Sequence, residues 1–328
     1  MAAKRATILD VAERAGVSTT TVSDALRGRG RISSATKAAV EQAAADIGYV
    51  PNRAARSLRI AEFGVIGLHL PETLSRSEFY MSTTFGVLEQ CSSLDYDVTL
   101  ISSKRAAAPP DVDGVIVVDP LTGDAGLPRI LQLAAPVVTM ERILGVEREA
   151  ALVTADYESA TVQLLELLAS AGAQRIGLLS AIAETDWAQR VRREYEQWCE
   201  STGRESHIAL HSVLSPDDTW VAGAEGLLDA GCDAVLCGPP VAAHALLVAA
   251  NTRALVIGSD LGMACVVDAP SLASAVPPVT SVDLKPRESG RASVDLLVGI
   301  LRGQQPKDAR VPIPATLVER ASTGTREQ

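Results

Sequence analysis

The stretch TILDVAERAGVSTTTVSDALR, residues 7–27, decides the fold of the N-terminal part of the chain. Its apolar residues recur at helical spacing from Ile8 to Ala15. Thr7 precedes them and Asp10 follows three residues later, which is the pattern of a capping box at the start of a helix. The stretch therefore begins with a predicted helix of two turns.

A tight turn and two further helices are predicted after the first helix. Gly16 lies where a left-handed residue ends a helix, and Ser18 can cap a second helix over 19–26. A third helix is predicted to begin near Ser33 or Ser34 and to end before the segment Gly-Tyr-Val-Pro. These three helices form a small domain of the helix-turn-helix type.

The second helix begins with side chains that suit a DNA-reading helix. Residues 19–21 are three threonines, and small polar side chains are expected where such a helix enters the major groove. Asp24 is unusual near phosphate, but a carboxylate there can accept from a cytosine amino group or orient an arginine. Arg27 and Arg31 follow, and we expect them to contact backbone phosphates.

The distribution of charge agrees with a DNA-binding head. The net charge is -10, yet residues 1–60 contain ten Lys and Arg against five Asp and Glu. The remaining residues contain 20 basic against 35 acidic side chains. A solvated basic terminus is common, so charge alone does not decide; a basic head on an acidic body nevertheless favours contact with phosphate through the head.

The rest of the chain alternates short apolar runs with helical stretches. We predict strands that are covered on both faces, as in parallel sheets, at residues 65–68, 98–101, 114–118, 137–140, 175–179, 234–237 and 255–258. The runs form two similar β-α-β sets in tandem, which indicates two lobes. Ligands of such sheets bind at the carboxyl ends of the strands, here in the cleft between the lobes.

These motifs together resemble the LacI family of bacterial repressors. The head shows in order D-V-A-x-x-A-G-V-S, T-V-S, G-Y-x-P-N and a hinge that ends in Ser-Leu, all within residues 7–59. Weaker markers follow, among them V-D-G-V-I-V-V from residue 112, V-I-G-S-D from residue 256 and T-L-V-E-R-A-S-T from residue 316. The resemblance implies an all-α helix-turn-helix headpiece and an α/β two-lobed core like that of periplasmic binding proteins, with parallel sheets flanked by helices.

The resemblance also implies domain boundaries. We expect the headpiece over 1–50, the hinge helix or linker over 51–61, the effector-binding and dimerisation core over 62–328, its N-lobe over about 62–155 and 284–313, and its C-lobe over about 156–283 and 314–324.

Candidate DNA contacts follow from the same motifs. They are Thr7, Ser18, Thr19, Thr20, Thr21, Ser23, Asp24, Arg27, Arg31, Asn52, Arg53, Ala55, Leu58 and Arg59. In the family the hinge forms a helix on DNA, and a leucine at the position of Leu58 inserts into the minor groove. Insertion of an apolar side chain is a known way to kink DNA. The alternative is that Leu58 packs on the core.

Candidate effector contacts are carried over where the weaker markers align: Phe79, Trp187, Arg190, Trp220 and Asp260. Asp260 matches the first acidic residue of the family's G-x-D-D turn, and Trp220 matches an aromatic ring over the ligand. The family's R-x-x-G-Y pattern is replaced here, so the ligand arginine is displaced to Arg190. Rings with a carboxylate suit a sugar; the alternative is that both tryptophans are packing residues.

The sequence therefore predicts a transcriptional regulator, by default a repressor of a carbohydrate-related operon that is controlled by a small-molecule effector such as a sugar. We expect a homodimer on double-stranded, palindromic operator DNA, because one headpiece reads only a half-site. The alternatives are an activator or a corepressor-dependent regulator with a non-sugar effector. A solute-binding protein is a further alternative, which predicts a signal peptide and no headpiece.

Other functional classes lack their sequence patterns. We find no G-x-S-x-G, P-loop, G-x-G-x-x-G or H-E-x-x-H motif, so we expect no enzyme, no cofactor and no metal site. Five scattered cysteines without a C-x-x-C pair suit reduced thiols in a core. Without a long apolar run or a secretory signal, we expect no membrane contact and a cytoplasmic, nucleoid-associated protein.

Overall fold

The computed structural model describes residues 6–27, 32–49, 63–71, 77–103, 111–146, 150–182 and 184–324. The chain divides into two compact units, residues 1–63 and residues 64–328. No helix in these described ranges is long and apolar enough to cross a membrane.

The first unit contains three helices: α1 (Ile8–Ala15), α2 (Thr19–Arg27) and α3 (Ser34–Asp46). The capping box at the start of α1 is confirmed, because the Asp10 carboxylate accepts the backbone N–H of Thr7 at 2.7 Å and the Thr7 hydroxyl accepts the backbone N–H of Asp10 at 3.4 Å. Gly16 ends α1 with a φ of 66°, as the turn requires.

A small apolar core joins the three helices. Val11 of α1, Val22 of α2 and Val40 of α3 are fully buried, and small alanines surround them. Small side chains allow the short helices to approach closely, so the exposed face of α2 is held in a fixed orientation within this unit.

The second unit contains two six-stranded sheets. The strands of the first sheet are β1 (Val65–His69), β2 (Asp97–Ile101), β3 (Gly114–Val118), β4 (Val137–Met140), β5 (Ala151–Ala155) and β11 (Arg310–Ile313). They are all parallel, in the order β11-β5-β4-β3-β1-β2. Strand β3 is buried along its whole length, which confirms the prediction of strands covered on both faces.

The second sheet has the order β12-β10-β9-β8-β6-β7, and its one antiparallel pair joins β10 to β12. Its strands are β6 (Ile176–Ala181), β7 (His207–His211), β8 (Ala234–Cys237), β9 (Gly262–Cys265), β10 (Thr280–Asp283) and β12 (Thr316–Val318). The chain passes from one sheet to the other three times, after β5, β10 and β11.

Helices cover both sheets. The first sheet with its helices forms the first lobe, and the second sheet with its helices forms the second lobe; each lobe has its own apolar core. The helices are α4 (Glu78–Ser93), α5 (Leu127–Leu131), α6 (Tyr157–Ser170), α7 (Asp186–Thr202), α8 (Asp217–Asp229), α9 (Pro240–Thr252), α10 (Pro270–Ala273) and α11 (Pro286–Leu301). A short 3-10 helix, Ala321–Thr323, follows the last strand. All five cysteines are free and buried, as the sequence predicts.

One predicted strand is wrong. The apolar run over 255–258 is a turn, in which Val256 is 59% exposed and donates its backbone N–H to the Asp260 carboxylate at 2.8 Å. The strand of the second sheet is β9, which begins at Gly262 and is buried throughout. The prediction followed the more apolar run over 255–258. The true strand, Gly262–Cys265, has a weaker apolar signal in the sequence.

Helices α4 and α11 pack with their backbones almost in contact. A Cβ atom at Gly86 of α4 would overlap the carbonyl oxygen of Arg287, and one at Gly290 of α11 would overlap the carbonyl oxygen of Thr83. Glycine is therefore required at both positions for this close approach.

Gly86→Ala is expected to lower the free energy of unfolding of the second unit by about 2 kcal/mol, because α4 and α11 must separate to admit the methyl group. Gly226→Ala is the matched control: this helical glycine of α8 faces open space, and alanine there is expected to stabilise the protein by up to about 1 kcal/mol. Urea titration of the two variants measures both changes; equal effects would contradict the packing described.

Candidate functional site

The N-terminal end of α2 presents hydroxyl groups at the surface of the first unit. The Ser18 hydroxyl caps α2 by accepting the backbone N–H of Thr21 at 3.1 Å. Thr20 is exposed, whereas Val22 and Ala25 are buried against the other helices. The burial pattern therefore places the threonines of the first turn where a ligand of this unit can reach them.

The predicted DNA contacts lie in two groups. Those within the described residues are Thr7, Ser18, Thr19, Thr20, Thr21, Ser23 and Asp24, together with the backbone of Arg27 at the end of α2. Those outside the described residues are Arg31, Asn52, Arg53, Ala55, Leu58 and Arg59. Their contacts with DNA remain predictions.

A cavity of about 660 Å³ lies in the second unit between its two sheets. The first lobe contributes the start of α4 (77–80) and Asp119 at the end of β3. The second lobe contributes residues at the starts of α7, α8, α9 and α10. The cavity thus lies at the carboxyl ends of the strands, where ligands of parallel sheets bind.

Asp119 is a buried carboxylate on the cavity wall, 4% exposed. Its Oδ2 accepts a hydrogen bond from the indole Nε1 of Trp187 at 3.0 Å and another from the hydroxyl of Tyr80. Its Oδ1 is buried and accepts none from the part of the chain that the structure describes. Burial raises the pKa of Asp119 to about 6, although the two hydrogen bonds act in the opposite direction.

Arg190 of α7 lies beside the cavity in a buried network of ions. Its Nε and Nη2 donate to the Glu158 carboxylate, and Nη1 donates to Glu141 Oε2 at 2.8 Å. The remaining two N–H groups donate to the Thr154 hydroxyl and the Ala155 carbonyl oxygen, each at 2.8 Å. All five N–H donors of a guanidinium are therefore used within the protein.

The carboxylates of this network have opposite pKa shifts. Burial raises the pKa of Glu141, and hydrogen bonds from Thr154 and Ala155 with the charge of Arg190 offset part of that rise. Burial also acts on Glu158, but the hydrogen bonds and charge of Arg190 outweigh it, so the pKa of Glu158 lies below its usual value. Removal of the guanidinium would leave buried acidic groups unpaired.

Hydrogen bonds between described residues join the two lobes around the cavity. Arg190 and Trp187 of the second lobe donate to Glu141 and Asp119 of the first lobe. The Ser271 hydroxyl donates to Glu78 at 2.8 Å, and the backbone N–H of Thr122 donates to the carbonyl oxygen of Glu184 at 2.8 Å. Any change in the angle between the lobes must alter these contacts.

The predicted effector residues have different locations. Phe79 and Trp187 line the cavity. Arg190 is not among the lining residues, since its donors face Glu141 and Glu158. The prediction that Arg190 is presented to a ligand is therefore not met by this conformation.

The predictions for Trp220 and Asp260 are wrong as to location. Trp220 is fully buried in the core of the second lobe, where its ring meets the edge of His211 at a centroid distance of 5.4 Å. In α8 the cavity is lined by Asp217 and Val221, and Trp220 lies on the adjacent side of the helix, which faces the core. Asp260 is exposed in the turn before β9 and does not line the cavity.

Sequence reasoning missed the buried polar groups Asp119, Tyr80 and Tyr157, which line the cavity, and Glu141 in the Arg190 network beside it. A signal for Asp119 was available, because it follows directly after the buried strand β3. The same signal applies to Glu141, which follows β4. Both residues adopt positive φ angles, 46° and 69°, which place their carboxylates at the strand ends.

Asp119→Asn is expected to raise the free energy of unfolding at pH 8 but to change it little at pH 4. The folded pKa of about 6 exceeds the ordinary value of 3.8, so ionisation destabilises the fold progressively between these values and fully above them. The rise of the pKa from 3.8 to about 6 corresponds to a gain of up to about 3 kcal/mol in the free energy of unfolding when the carboxylate is removed. Denaturant titrations at both pH values measure it, with exposed Asp260→Asn as the control; a gain independent of pH contradicts it.

Two family models match this chain. The model described as bacterial regulatory proteins, lacI family, matches residues 7–52. The model described as periplasmic binding protein-like domain matches residues 165–323. The two matches correspond to the three-helix unit and to most of the second lobe together with α11 and β11 of the first lobe.

Relatives of similar length match almost the whole chain. The HTH-type transcriptional regulator CelR of Thermobifida fusca is 28% identical over 97% of this chain and 98% of its own length. The HTH-type transcriptional regulator AglR of Rhizobium meliloti is 28% identical, with coverages of 96% and 93%. The ribose operon repressor of Bacillus subtilis is 26% identical, with coverages of 97% and 98%.

Solved structures show the same fold. A CelR-cellobiose complex has a TM-score of 0.71 at 25% identity and covers 97% of this chain and 100% of that chain. A lac repressor dimer bound to operator has a TM-score of 0.81 at 22% identity, with coverages of 98% and 100%. The family models and the full-length relatives therefore show a lacI-family helix-turn-helix domain joined to a periplasmic binding protein-like domain, the two domains of LacI-family DNA-binding transcriptional regulators.

Proposed function

We propose that this regulator binds a palindromic operator as a homodimer and represses transcription until an effector enters the cavity between its lobes. The exposed, hydroxyl-bearing start of α2 is the observation that carries this proposal. An effector site and a DNA-binding unit in one chain give a ligand-controlled switch, and we propose no catalytic role. Because the operator that it would bind lies in chromosomal DNA, we place the protein in the bacterial cytoplasm.

The DNA contacts divide into base reading and phosphate binding. Thr20 and Thr21 at the start of α2 have the size and polarity to contact base edges in the major groove. Arg27 and Arg31 would bind phosphates. The hinge, residues 51–61, would become helical on the operator, with Leu58 inserted in the minor groove.

An apolar stripe on α4 supports the homodimer. Met81, Phe85 and Leu88 are all more than two-fifths exposed, and their spacing places them on one face of α4. Large apolar side chains clustered at a surface mark an interface. Pairing of this face with that of a second copy would bury the stripe and bring two headpieces to one operator.

Effector control would act through the contacts that join the lobes. A ligand in the cavity touches residues of both lobes, so it favours one angle between them according to its contacts in each state. A changed angle would displace the first lobe, which continues into the hinge. A relative that represses a ribose operon and a solved CelR-cellobiose complex favour genes of carbohydrate use as the targets.

Selection of duplexes from a random DNA library by the full-length protein at physiological salt tests the proposal. We expect enrichment of a two-fold palindrome, because paired headpieces read two half-sites. Leu58→Ala is expected to weaken binding to the selected operator by tenfold or more, about 1.4 kcal/mol, and to leave non-specific binding nearly unchanged.

Leu100→Ala provides the matched control, since Leu100 is 68% exposed on β2 of the other unit. It should bind the operator like the original protein. Salt-sensitive binding without enrichment of any sequence contradicts the proposed function.

A further inference from the structure

The cavity combines acidic side chains with a scarcity of basic ones. Its lining includes the carboxylates of Glu78, Asp119 and Asp217, and no Lys or Arg stands among the described lining residues. His244 is the one histidine among the described lining residues. The electrostatic potential in the cavity therefore favours a cation over an anion.

The buried carboxylate of Asp119 has unused hydrogen-bonding capacity. Both donors from the protein, Tyr80 and Trp187, go to Oδ2, whereas Oδ1 accepts nothing from the described residues. A buried acceptor without a donor is costly, and a ligand that brings an N–H group removes that cost. Arg190 cannot take this part here, because its five donors are engaged elsewhere.

Aromatic rings lie next to the same carboxylate. Phe79, Tyr80, Tyr157 and Trp187 all line the cavity, and the rings of Tyr157 and Trp187 stack at a centroid distance of 6.3 Å. Aromatic faces attract ammonium groups, most strongly where water is excluded. A carboxylate flanked by rings is suited to a protonated amine.

Most of the rest of the wall is apolar, and Ser77, Ser215 and Ser271 are its other polar residues in the described part of the chain. The apolar residues are Val213, Val221, Pro239, Pro240, Val241, Ala245, Val248, Val267 and Ala269. A neutral sugar carries hydroxyl groups around its ring, and such a wall would leave many of them without partners. An apolar ligand body gains contact area there instead.

From these observations we propose that the effector is a small organic cation, whose protonated amino group binds Asp119 and whose apolar body lies against the valines and prolines. The inference depends on the proposed function, in which this cavity is the effector site, and names the ligand class. It differs from the neutral sugars that the names of the relatives suggest.

Asp119 also links recognition of the cation to the position of the lobes. Its Oδ2 accepts from Trp187 of the second lobe, while Asp119 itself belongs to the first. A cation at Asp119 competes with the Trp187 indole for the charge of the carboxylate. The amino group would therefore be sensed at a contact that joins the lobes.

The test is calorimetric titration of the full-length protein at pH 8 with matched probes. The set pairs primary amines that carry apolar bodies, such as 2-phenylethylamine, with the alcohols of the same shape, such as 2-phenylethanol, and adds glucose and cellobiose. We expect binding of amines from the set and little binding of their alcohols. Asp119→Asn should weaken amine binding about tenfold or more, because a charge-assisted hydrogen bond is lost.

Asp260→Asn is the control, since that carboxylate lies in an exposed turn outside the cavity. It should bind the amines as the original protein does. Saccharide binding that Asp119→Asn leaves unchanged, or no binding of any amine in the set, overturns the inference. Neither result affects the selection of a palindromic operator, so failure of the ligand class and failure of the regulator proposal are distinguishable.

Discussion

The buried guanidinium of Arg190 is the interaction on which the arrangement of the core depends. It joins α7 of the second lobe to Glu141 and β5 of the first, and it satisfies carboxylates that burial would otherwise penalise. A charge this deep is tolerated only when it is fully paired, and here every donor has an acceptor. The lobes and the cavity between them are consequently held in one geometry by a contact that uses no ligand.

This geometry explains how one small site can influence distant DNA. The hydrogen bonds of Trp187 with Asp119 and of Ser271 with Glu78 join the two lobes at the cavity wall. A ligand in the cavity would therefore change them directly. The lobes are connected by three chain crossings, which permit a change of angle without a change in either sheet. Such rigid-body motion is a common route from an effector site to a DNA-binding unit.

The sequence predicted the headpiece closely because its signals are local. The capping box at Thr7 and the left-handed Gly16 each depend on a few neighbouring residues. The cavity depends on residues far apart in sequence, and there the prediction was partly wrong. Trp220 is one position away from the lining residue Val221, yet the helix directs its side chain into the core. Asp260 lies in an exposed turn that follows the wrongly predicted strand over 255–258 and is not part of the cavity.

The hydrogen bonds and ion pair of Arg190 with the first lobe hold the two lobes together. A double-mutant cycle with Arg190→Met, Glu141→Gln and both together, with the free energy of unfolding measured at pH 7, tests this claim most directly. We expect Arg190→Met alone to lower the free energy of unfolding by about 3 to 5 kcal/mol and the double variant to lose clearly less than the sum of the single losses. Additive losses, or a single loss near zero, would contradict it.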